Sequence, residues 1–151
     1  MTIDTREGLY KQIIDNTSDA VIFADTEGVI RLWNHGAEAL FGYSAEESMG
    51  QTLDIIVPDQ FREAHWAGYR RAMTRGQTQY GRQAMLTRSM TKNSNTIYIE
   101  MTLAVLHGDA GQALGALAMV RDATEKRAQE RALRQRVAEL ERQIQQRDVK
   151  S

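Results

Sequence analysis

The sequence predicts an α+β fold with a five-stranded antiparallel sheet, helices on one face of that sheet, and a C-terminal amphipathic helix of the coiled-coil type. Short apolar runs typical of strands occur in two regions, 20–33 and 77–120, and helical patterns occupy the residues between them. Turn residues rather than long crossovers join consecutive runs, which indicates hairpins. This order of elements is typical of an antiparallel sheet covered on one face by helices.

The composition limits the kinds of partner. The chain has 151 residues, 19 basic and 20 acidic side chains and a formal net charge of −1, a balance that favours neither nucleic acid nor an anionic membrane as a partner. It has no cysteine, which excludes thiol nucleophiles, iron–sulfur clusters and thiol-adduct flavin photochemistry. No apolar run approaches the ~18 residues needed to cross a bilayer, and no signal pattern opens the chain. We therefore expect a cytoplasmic protein.

The N-terminal region predicts a helix followed by a β-hairpin. Apolar residues at helical spacing indicate a short helix over 5–16 that packs on the domain. The apolar, β-branched runs 20–24 and 29–33 flank the sequence Asp-Thr-Glu-Gly, in which Gly28 can adopt a positive φ. These two runs therefore form the first hairpin.

Three helices are expected between this hairpin and the later strands. The first is a short helix over 37–41 that stops at a glycine. Ser44 and Glu47 have the spacing of a capping box and open the second. The third and longest begins at Pro58, carries arginines near its C-terminus and stops at Gly76.

One histidine lies on the apolar side of the longest helix. On a period of 3.6, the residues that share the stripe of His65 are Phe61, Tyr69, Ala72 and Met73. A neutral imidazole at this position either hydrogen-bonds inside a core or acts as a metal ligand. His35 and His107 stand at a helix start and beside a turn, where exposure or capping is the expected role.

After this helix the period falls to two, which predicts three more strands. They cover 77–90, 96–107 and 113–120, and the turn Lys-Asn-Ser-Asn at 92–95 joins the first two. The clearest strand is the second, because its apolar residues alternate strictly with the others.

Alternation also assigns side chains to faces of the predicted sheet. Leu117 and Met119 are the bulky members of one face of the strand over 113–120. In the strand over 77–90, Met85 lies on the face opposite to that of Arg82 and Arg88. The core-facing residues of the clearest strand are Ile97, Ile99, Met101, Leu103 and Val105.

The C-terminal region predicts a long helix with an apolar seam. Residues 123–151 contain neither glycine nor proline, and four apolar residues follow the heptad spacing of four, three and four: Leu133, Val137, Leu140 and Ile144. Two heptads are few for an autonomous coiled coil, so we expect a parallel homodimer through this helix together with the N-terminal cap. The alternative is an amphipathic helix folded back on its own domain.

Several motifs, in order, resemble those of PAS domains over residues 7–127. The segment IIDNTSDAVIFADTEGVIRLWNHGAEALFGYSAEESMGQ resembles the family's first hairpin and short helices, and RDATEKR (121–127) resembles its Asp-x-Thr exit motif. Matching positions are Asn34, Ala37, Glu38, Phe41, Gly42 and Tyr43. The resemblance implies a sensor in three parts: an N-terminal helical cap over 1–17, a PAS domain over 18–122, and a signalling and dimerisation helix over 123–151.

The longest helix resembles that of haem-binding PAS sensors in oxygen-sensing histidine kinases and haem-regulated phosphodiesterases. These carry Pro-x-x-x-Arg-x-x-His with the histidine as proximal haem ligand, and VPDQFREAH places His65 there. The sequence departs from the pattern afterwards, because Trp66 follows directly and the next aromatic, Tyr69, comes four residues later instead of three.

The resemblance also implies the rest of a haem b site. Its distal residue comes from the strand after this helix, where Met85 is the candidate iron ligand and either arginine of that strand would need a bulge to face inward. Further cofactor contacts are then expected from Ile56, Tyr69, Ile99, Met101, Leu103, Leu117 and Met119. The alternative for each methionine is adaptable core filler.

Two classes of function follow from these patterns. The first is a haem-binding sensor of a diatomic gas (oxygen, carbon monoxide or nitric oxide) or of redox state, which signals through Asp122 and Thr124 into the C-terminal helix. The second is an interaction module that binds no haem, or binds flavin (FAD) or another organic ligand. No catalytic constellation is recognisable, so an enzyme is not expected. The output lies in a separate signalling protein or in a further domain.

Overall fold

The computed structural model describes residues 5–150, in which a five-stranded antiparallel sheet forms the centre of the protein. The strands are β1 (Ala20–Asp25), β2 (Ile30–Trp33), β3 (Met85–Met90), β4 (Thr96–His107) and β5 (Ala113–Asp122). Their spatial order is β2-β1-β5-β4-β3, so the first hairpin pairs with the last strand. The predicted fold class is confirmed.

Helices precede, interrupt and follow the strands. They are α1 (Arg6–Asn16), α2 (His35–Phe41), α3 (Ala45–Ser48), α4 (Arg62–Arg75) and α5 (Thr124–Lys150). The longest predicted helix starts as a 3-10 turn over Asp59–Phe61 that leads into α4, and Gly76 closes it with a left-handed φ of 72°. None of the helices within residues 5–150 combines the length and hydropathy needed to cross a bilayer.

The local signals in the first half are confirmed. Gly28 has a φ of 79° in the β1–β2 turn, and a glycine with a φ of 85° ends α2. At the start of α3, the Ser44 hydroxyl accepts from the Glu47 N–H at 3.1 Å, and the Glu47 carboxylate accepts from the Ser44 N–H at 2.9 Å. These caps satisfy helix-end donors that would otherwise be unpaired.

A buried asparagine joins three elements at one end of the core. The side chain of Asn34 is 2% exposed. Its Oδ1 accepts from the N–H groups of Val21 and Ala37 at 2.8 and 2.9 Å, and its Nδ2 donates to the carbonyls of Ile14 and Asp19 at 2.7 and 3.0 Å. This amide therefore holds the end of α1 on the domain, although α1 itself has no buried residue.

The sheet register defines an inner and an outer face. On the inner face, Met101 pairs with Val120 and Leu103 with Ala118, next to the apolar core that contains Ile99. On the outer face, Leu117 pairs with Ala104 and Met119 with Thr102. The expectation that Leu117 and Met119 line the same site as Met101 and Leu103 is therefore wrong. Residues 116–119 are apolar at every position, so alternation could not show which of them face inward.

The predicted strand over 77–90 is too long. Pairing begins at Met85, opposite Met101, and residues 77–84 form turns instead. This segment is polar and contains Gly81, whose φ is 58°. Without apolar side chains to bury, it gains nothing from extending the edge of the sheet.

The C-terminal helix leaves the sheet after one residue. Ala123, only 4% exposed, separates β5 from α5. No residue of α5 is buried, and its predicted apolar seam is exposed to solvent. In this structure the seam is not folded back on its own domain.

Candidate ligand-binding site

Three aromatic rings form a cluster on α4. The ring centroids of His65 and Trp66 lie 4.9 Å apart, those of His65 and Tyr69 5.9 Å, and those of Trp66 and Tyr69 5.6 Å. The helical spacing of one and four residues places these side chains next to one another. His65 thus lies beside two large side chains of its own helix.

Trp66 binds the helix to the turn of the first hairpin and to the loop before α4. Its Nε1–H donates to Asp54 Oδ1 at 2.7 Å. Its ring lies so close to Gly28 that a Cβ atom there would come within 2.1 Å of Cζ3. Because only glycine leaves this space, the indole fixes α4 against the β1–β2 turn.

Tyr69 binds the same helix to the end of β1. This residue is 8% exposed, and its hydroxyl lies 3.1 Å from the carbonyl oxygen of Ala24 and 2.5 Å from that of Asp25. Burial, as the largest cause, raises the pKa of Tyr69 to about 12, and the nearby Asp25 carboxylate adds to the shift. The phenol is therefore neutral over the physiological range and acts as a hydrogen-bond donor.

The imidazole of His65 is partly buried and carries an unpartnered nitrogen. Its Nδ1 is inaccessible to solvent and has no hydrogen-bond partner among residues 5–150. Burial lowers the pKa of His65 below its usual value, and the Asp54 carboxylate opposes this shift in part. A buried unpaired nitrogen costs roughly 1–3 kcal/mol, so its presence indicates either a tolerated cost or an absent partner. A neutral imidazole is also the form that binds metals.

The sheet brings four of the predicted contacts onto its inner face. Met85 and Met101 are cross-strand partners, so their thioethers start from adjacent positions, and Ile99 and Leu103 lie on the same face of β4. The carbonyl of Ile56 accepts from Ser89 Oγ at 2.6 Å and from the Met90 N–H at 3.0 Å. These bonds hold the loop before α4 against the edge of β3.

The arginines considered for the distal position lie elsewhere. Arg82 is exposed in the turn region before β3. Arg88 faces outward on β3, and its guanidinium carbon lies 5.0 Å from the centroid of the Phe61 ring. No bulge turns either side chain toward the inner face.

Two clefts on the described surface include neither His65 nor Met85. One of about 610 Å³ lies between α2 and the ends of β1 and β5, and one of about 300 Å³ lies between the base of α5 and the outer side of β3 and β4. Among residues 5–150, no group of three or more His, Asp or Glu side chains is arranged to hold a metal ion.

The base of α5 is attached to β4 by the predicted exit motif. Asp122 Oδ1 accepts from the Thr124 N–H at 2.9 Å, and Thr124 Oγ1 accepts from the Tyr98 N–H at 3.2 Å. The Ala123 N–H donates to the Tyr98 carbonyl at 2.8 Å, and the guanidinium of Arg127 lies 4.3 Å above the Tyr98 ring. A displacement of β4 would thus be carried directly to the first turn of α5.

Sequence patterns did not reveal the partners of α4. The Asp54 carboxylate, the space above Gly28 and the β1 carbonyls are brought to this helix by the tertiary fold, from residues 12 to 45 positions away. Only the spacing of His65, Trp66 and Tyr69 pointed to this face.

The chain is similar to sensor proteins and to solved structures. A family model described as PAS fold matches residues 14–128. The sensor protein FixL of Bradyrhizobium diazoefficiens is 39% identical over 61 residues, which is 40% of this chain and 12% of that protein. The chain spans less than a fifth of the length of the curated relatives it matches.

Two solved structures show the same arrangement of elements. The PAS domain of a protein from Colwellia psychrerythraea has a TM-score of 0.70 at 26% identity, and the likeness covers 80% of this chain and 99% of that one. An RNA-binding light-oxygen-voltage receptor has a TM-score of 0.73 at 20% identity, over 91% of this chain and 39% of that one. The second likeness concerns the fold alone.

Proposed function

Because the chain belongs to the family of PAS domains, which serve as sensors in signalling proteins, we propose that it is a haem-binding sensor with His65 as the axial ligand. The signal would be a diatomic gas (oxygen, carbon monoxide or nitric oxide) or a change of redox state. The observation that carries the proposal is the buried, unpartnered Nδ1 of His65 on an imidazole whose pKa is lowered. Such a ring is neutral near pH 7 and has a nitrogen for which residues 5–150 offer no partner.

The residues present fit haem in kind. His65 would supply the imidazole ligand, and the inner-face residues Ile99, Met101 and Leu103 would supply apolar contacts. Met85 is the proposed distal ligand, with Met101 as its cross-strand neighbour. Haem iron, when bound, would supply a coordination position whose occupancy depends on gas or oxidation state.

The chain's own contacts suggest how such a signal would reach α5. The Trp66 ring against Gly28 and the Tyr69 hydroxyl on the β1 carbonyls fix the helix of His65 to the first hairpin, so a movement of α4 would act on β1. The inner-face residues belong to β3 and β4, and β4 is bonded through Tyr98 to the base of α5. The output would be a change in the arrangement of two α5 helices.

The same proposal includes a homodimer. Its interface would be formed by the exposed apolar seam of α5 and by α1. The exposed apolar side chains of α1 are Leu9, Tyr10 and Ile13. A separate signalling protein or a further domain would receive the signal. A cytoplasmic location and the absence of catalysis stay predictions.

Haem binding can be tested with variants of the three histidines. The full chain would be produced with added haem, and haem content would be measured by visible absorption in wild type, H65A, H35A and H107A. We expect H65A alone to lose haem, while circular dichroism shows an unchanged fold. Equal haem content in H65A and H35A would refute the axial role of His65, and a wild type that takes up no haem would refute the proposal.

The distal assignment has its own test. If Met85 is the sixth ligand, the ferrous M85A variant has an open position and binds carbon monoxide faster than wild type. M101A is the matched control, because it removes the neighbouring thioether. Identical ferrous spectra of wild type and M85A would contradict the assignment.

A haem-free module is the second candidate, and two observations favour it. The hydroxyl of Tyr69 is satisfied by the β1 carbonyls, and neither recognised cleft reaches His65. In that case the purified protein would be colourless. A yellow protein would instead indicate flavin, which the fold likeness to light-oxygen-voltage domains keeps open.

A further inference from the structure

The charges of this chain are segregated along the sequence. Residues 1–63 carry twelve acidic and four basic side chains, whereas residues 64–99 carry six basic side chains and no acidic one. The six are Arg70, Arg71, Arg75, Arg82, Arg88 and Lys92. The overall charge of −1, which argues against a nucleic-acid partner, averages over these regions. Residues 64–99 are therefore a strongly basic region within a nearly neutral chain.

Two of these six side chains have a partner in the fold. Lys92 pairs with Glu47, and the guanidinium of Arg88 lies against the Phe61 ring. The guanidinium groups of the other four make no ion pair, hydrogen bond or ring contact with any residue from 5 to 150, and all four residues are exposed. These four form the arginine patch: Arg70, Arg71, Arg75 and Arg82.

The helix α4 carries three of these arginines on its outer side. Its inner side is marked by Tyr69, which bonds to β1, and the exposed arginines at 70, 71 and 75 follow at positions turned toward solvent. A basic side chain in the last turn of a helix also offsets the helix dipole, which accounts for Arg75. The dipole gives no reason for Arg82, which follows the helix, or for the absence of carboxylates from 36 consecutive residues.

The turn after α4 adds an aromatic ring beside the patch. Tyr80 is 49% exposed, and its hydroxyl has no partner within the described part of the chain. The Gln83 N–H donates to the Tyr80 carbonyl at 3.1 Å, and Gly81 has a φ of 58°. This turn therefore holds an exposed phenol ring two residues from the exposed guanidinium of Arg82. The same segment carries three exposed amide side chains: Gln77, Gln79 and Gln83.

This combination fits a single-stranded nucleic acid better than another anionic partner. Arginines attract phosphates, and a carboxylate among them would repel phosphates. A protein partner presents charges of both signs, so a surface complementary to it would include carboxylates. A membrane would be bound through inserted apolar side chains as well as charge, and this surface offers Tyr80 alone. An exposed ring gives a base a face to stack on, and amides can bond to base edges.

We propose that the arginine patch and Tyr80 bind single-stranded nucleic acid, with the guanidinium groups on phosphates and the phenol ring stacked on a base. This is a further function that does not depend on haem, because it uses the outer side of α4 and the turn after it. RNA and DNA strands should both bind, since phosphates and base faces are common to the two.

Salt dependence identifies the arginine contacts. Binding of labelled oligouridine and oligothymidine of about twelve nucleotides to the full chain, without added haem, would be measured by fluorescence anisotropy. Four contacts to a single strand give a slope of log K against log salt of about −3. R71Q/R75Q should halve this slope and weaken binding about tenfold at physiological salt, with an unchanged circular dichroism spectrum. The control R134Q/R136Q removes two exposed, unpaired arginines of α5 and should change neither quantity.

Tyr80 has a different signature, because stacking releases no counterion. Y80A should weaken binding about fivefold or more at an unchanged slope, and Y80F should bind like wild type. Loss of binding in R134Q/R136Q but not in R71Q/R75Q would place the site on α5 and overturn the proposal. A wild type that binds neither strand, or that binds a duplex, phosphatidylserine vesicles or polyglutamate more tightly than the strands, would also overturn it. None of these results bears on haem content, so this proposal and the axial role of His65 can fail separately.

Discussion

Replacement of Asn34 by alanine tests how strongly one buried amide joins α1, β1 and α2. All four hydrogen-bonding positions of the side chain are used, two by N–H donors and two by carbonyl acceptors. Asn34 is also the N-cap of α2. N34A removes all of these contacts and adds none.

The magnitude follows from the number of bonds. A hydrogen bond contributes about 0.5–1.5 kcal/mol net, and a lost N-cap costs about 1 kcal/mol, while water can reach some of the freed groups beside α1. We therefore expect N34A to lower the free energy of unfolding by about 3–5 kcal/mol. For a chain of this size the melting temperature should fall by about 10 °C.

Urea denaturation followed by circular dichroism measures this loss, and N16A is the matched control. The amide of Asn16 is exposed and bonds only to Gln12 within α1, so its removal should cost less than about 0.5 kcal/mol. A similar loss in both variants would refute the view that the buried amide holds the three elements together. A changed denaturant slope would show that the unfolded or folded ensemble had changed instead.

Three further perturbations test the surroundings of α4. Y69F should lower the free energy of unfolding by about 1–2 kcal/mol, measured by thermal unfolding. In the wild type, the raised pKa of the phenol makes the free energy of unfolding fall as pH rises from 10 through about 12. The variant should lack this fall. G28A should lower the free energy of unfolding by more than about 2 kcal/mol and should change the fluorescence of Trp66. Its control is G50A, because Gly50 has a similar φ but no atom within 4 Å of an added Cβ. G50A should lower the free energy of unfolding by only about 1 kcal/mol. The pKa of His65 is lower in the folded state, so protonation favours the unfolded state, and the free energy of unfolding of the wild type should decrease below pH 6.5. H65Q should show a smaller decrease in urea titrations. An unchanged pH profile would contradict a buried, neutral His65.

Local signals allowed most of the fold to be predicted. The strand Thr96–His107 was predicted with its observed bounds, because its alternation is strict and one face is buried. The capping box at Ser44 and the stop at Gly76 depend on neighbouring residues alone, so the sequence reports them directly.

The relations between distant residues could not be predicted in the same way. The face of Met119 depends on the register of β5 against β4, which no pattern within β5 determines. The bonds of Asn34 to α1, and of Tyr69 to the end of β1, join residues that only the folded chain brings together. For the candidate site, the position of His65 on α4 was predictable, whereas the surroundings that bury its nitrogen were not.

The single residue between β5 and α5 fixes the rotational phase of the helix relative to the sheet. With Ala123 buried and its N–H bonded to Tyr98, α5 cannot turn about its own axis at the joint. One residue inserted between Arg127 and Leu133 would rotate the apolar seam of α5 by about 100° about the helix axis. Seven inserted residues would return the seam to within about 20° of its direction and move it roughly 10 Å farther from the sheet. Changes in the length of this segment should therefore preserve the direction of the seam only when they add nearly whole turns, as insertions of about seven, eleven or eighteen residues do.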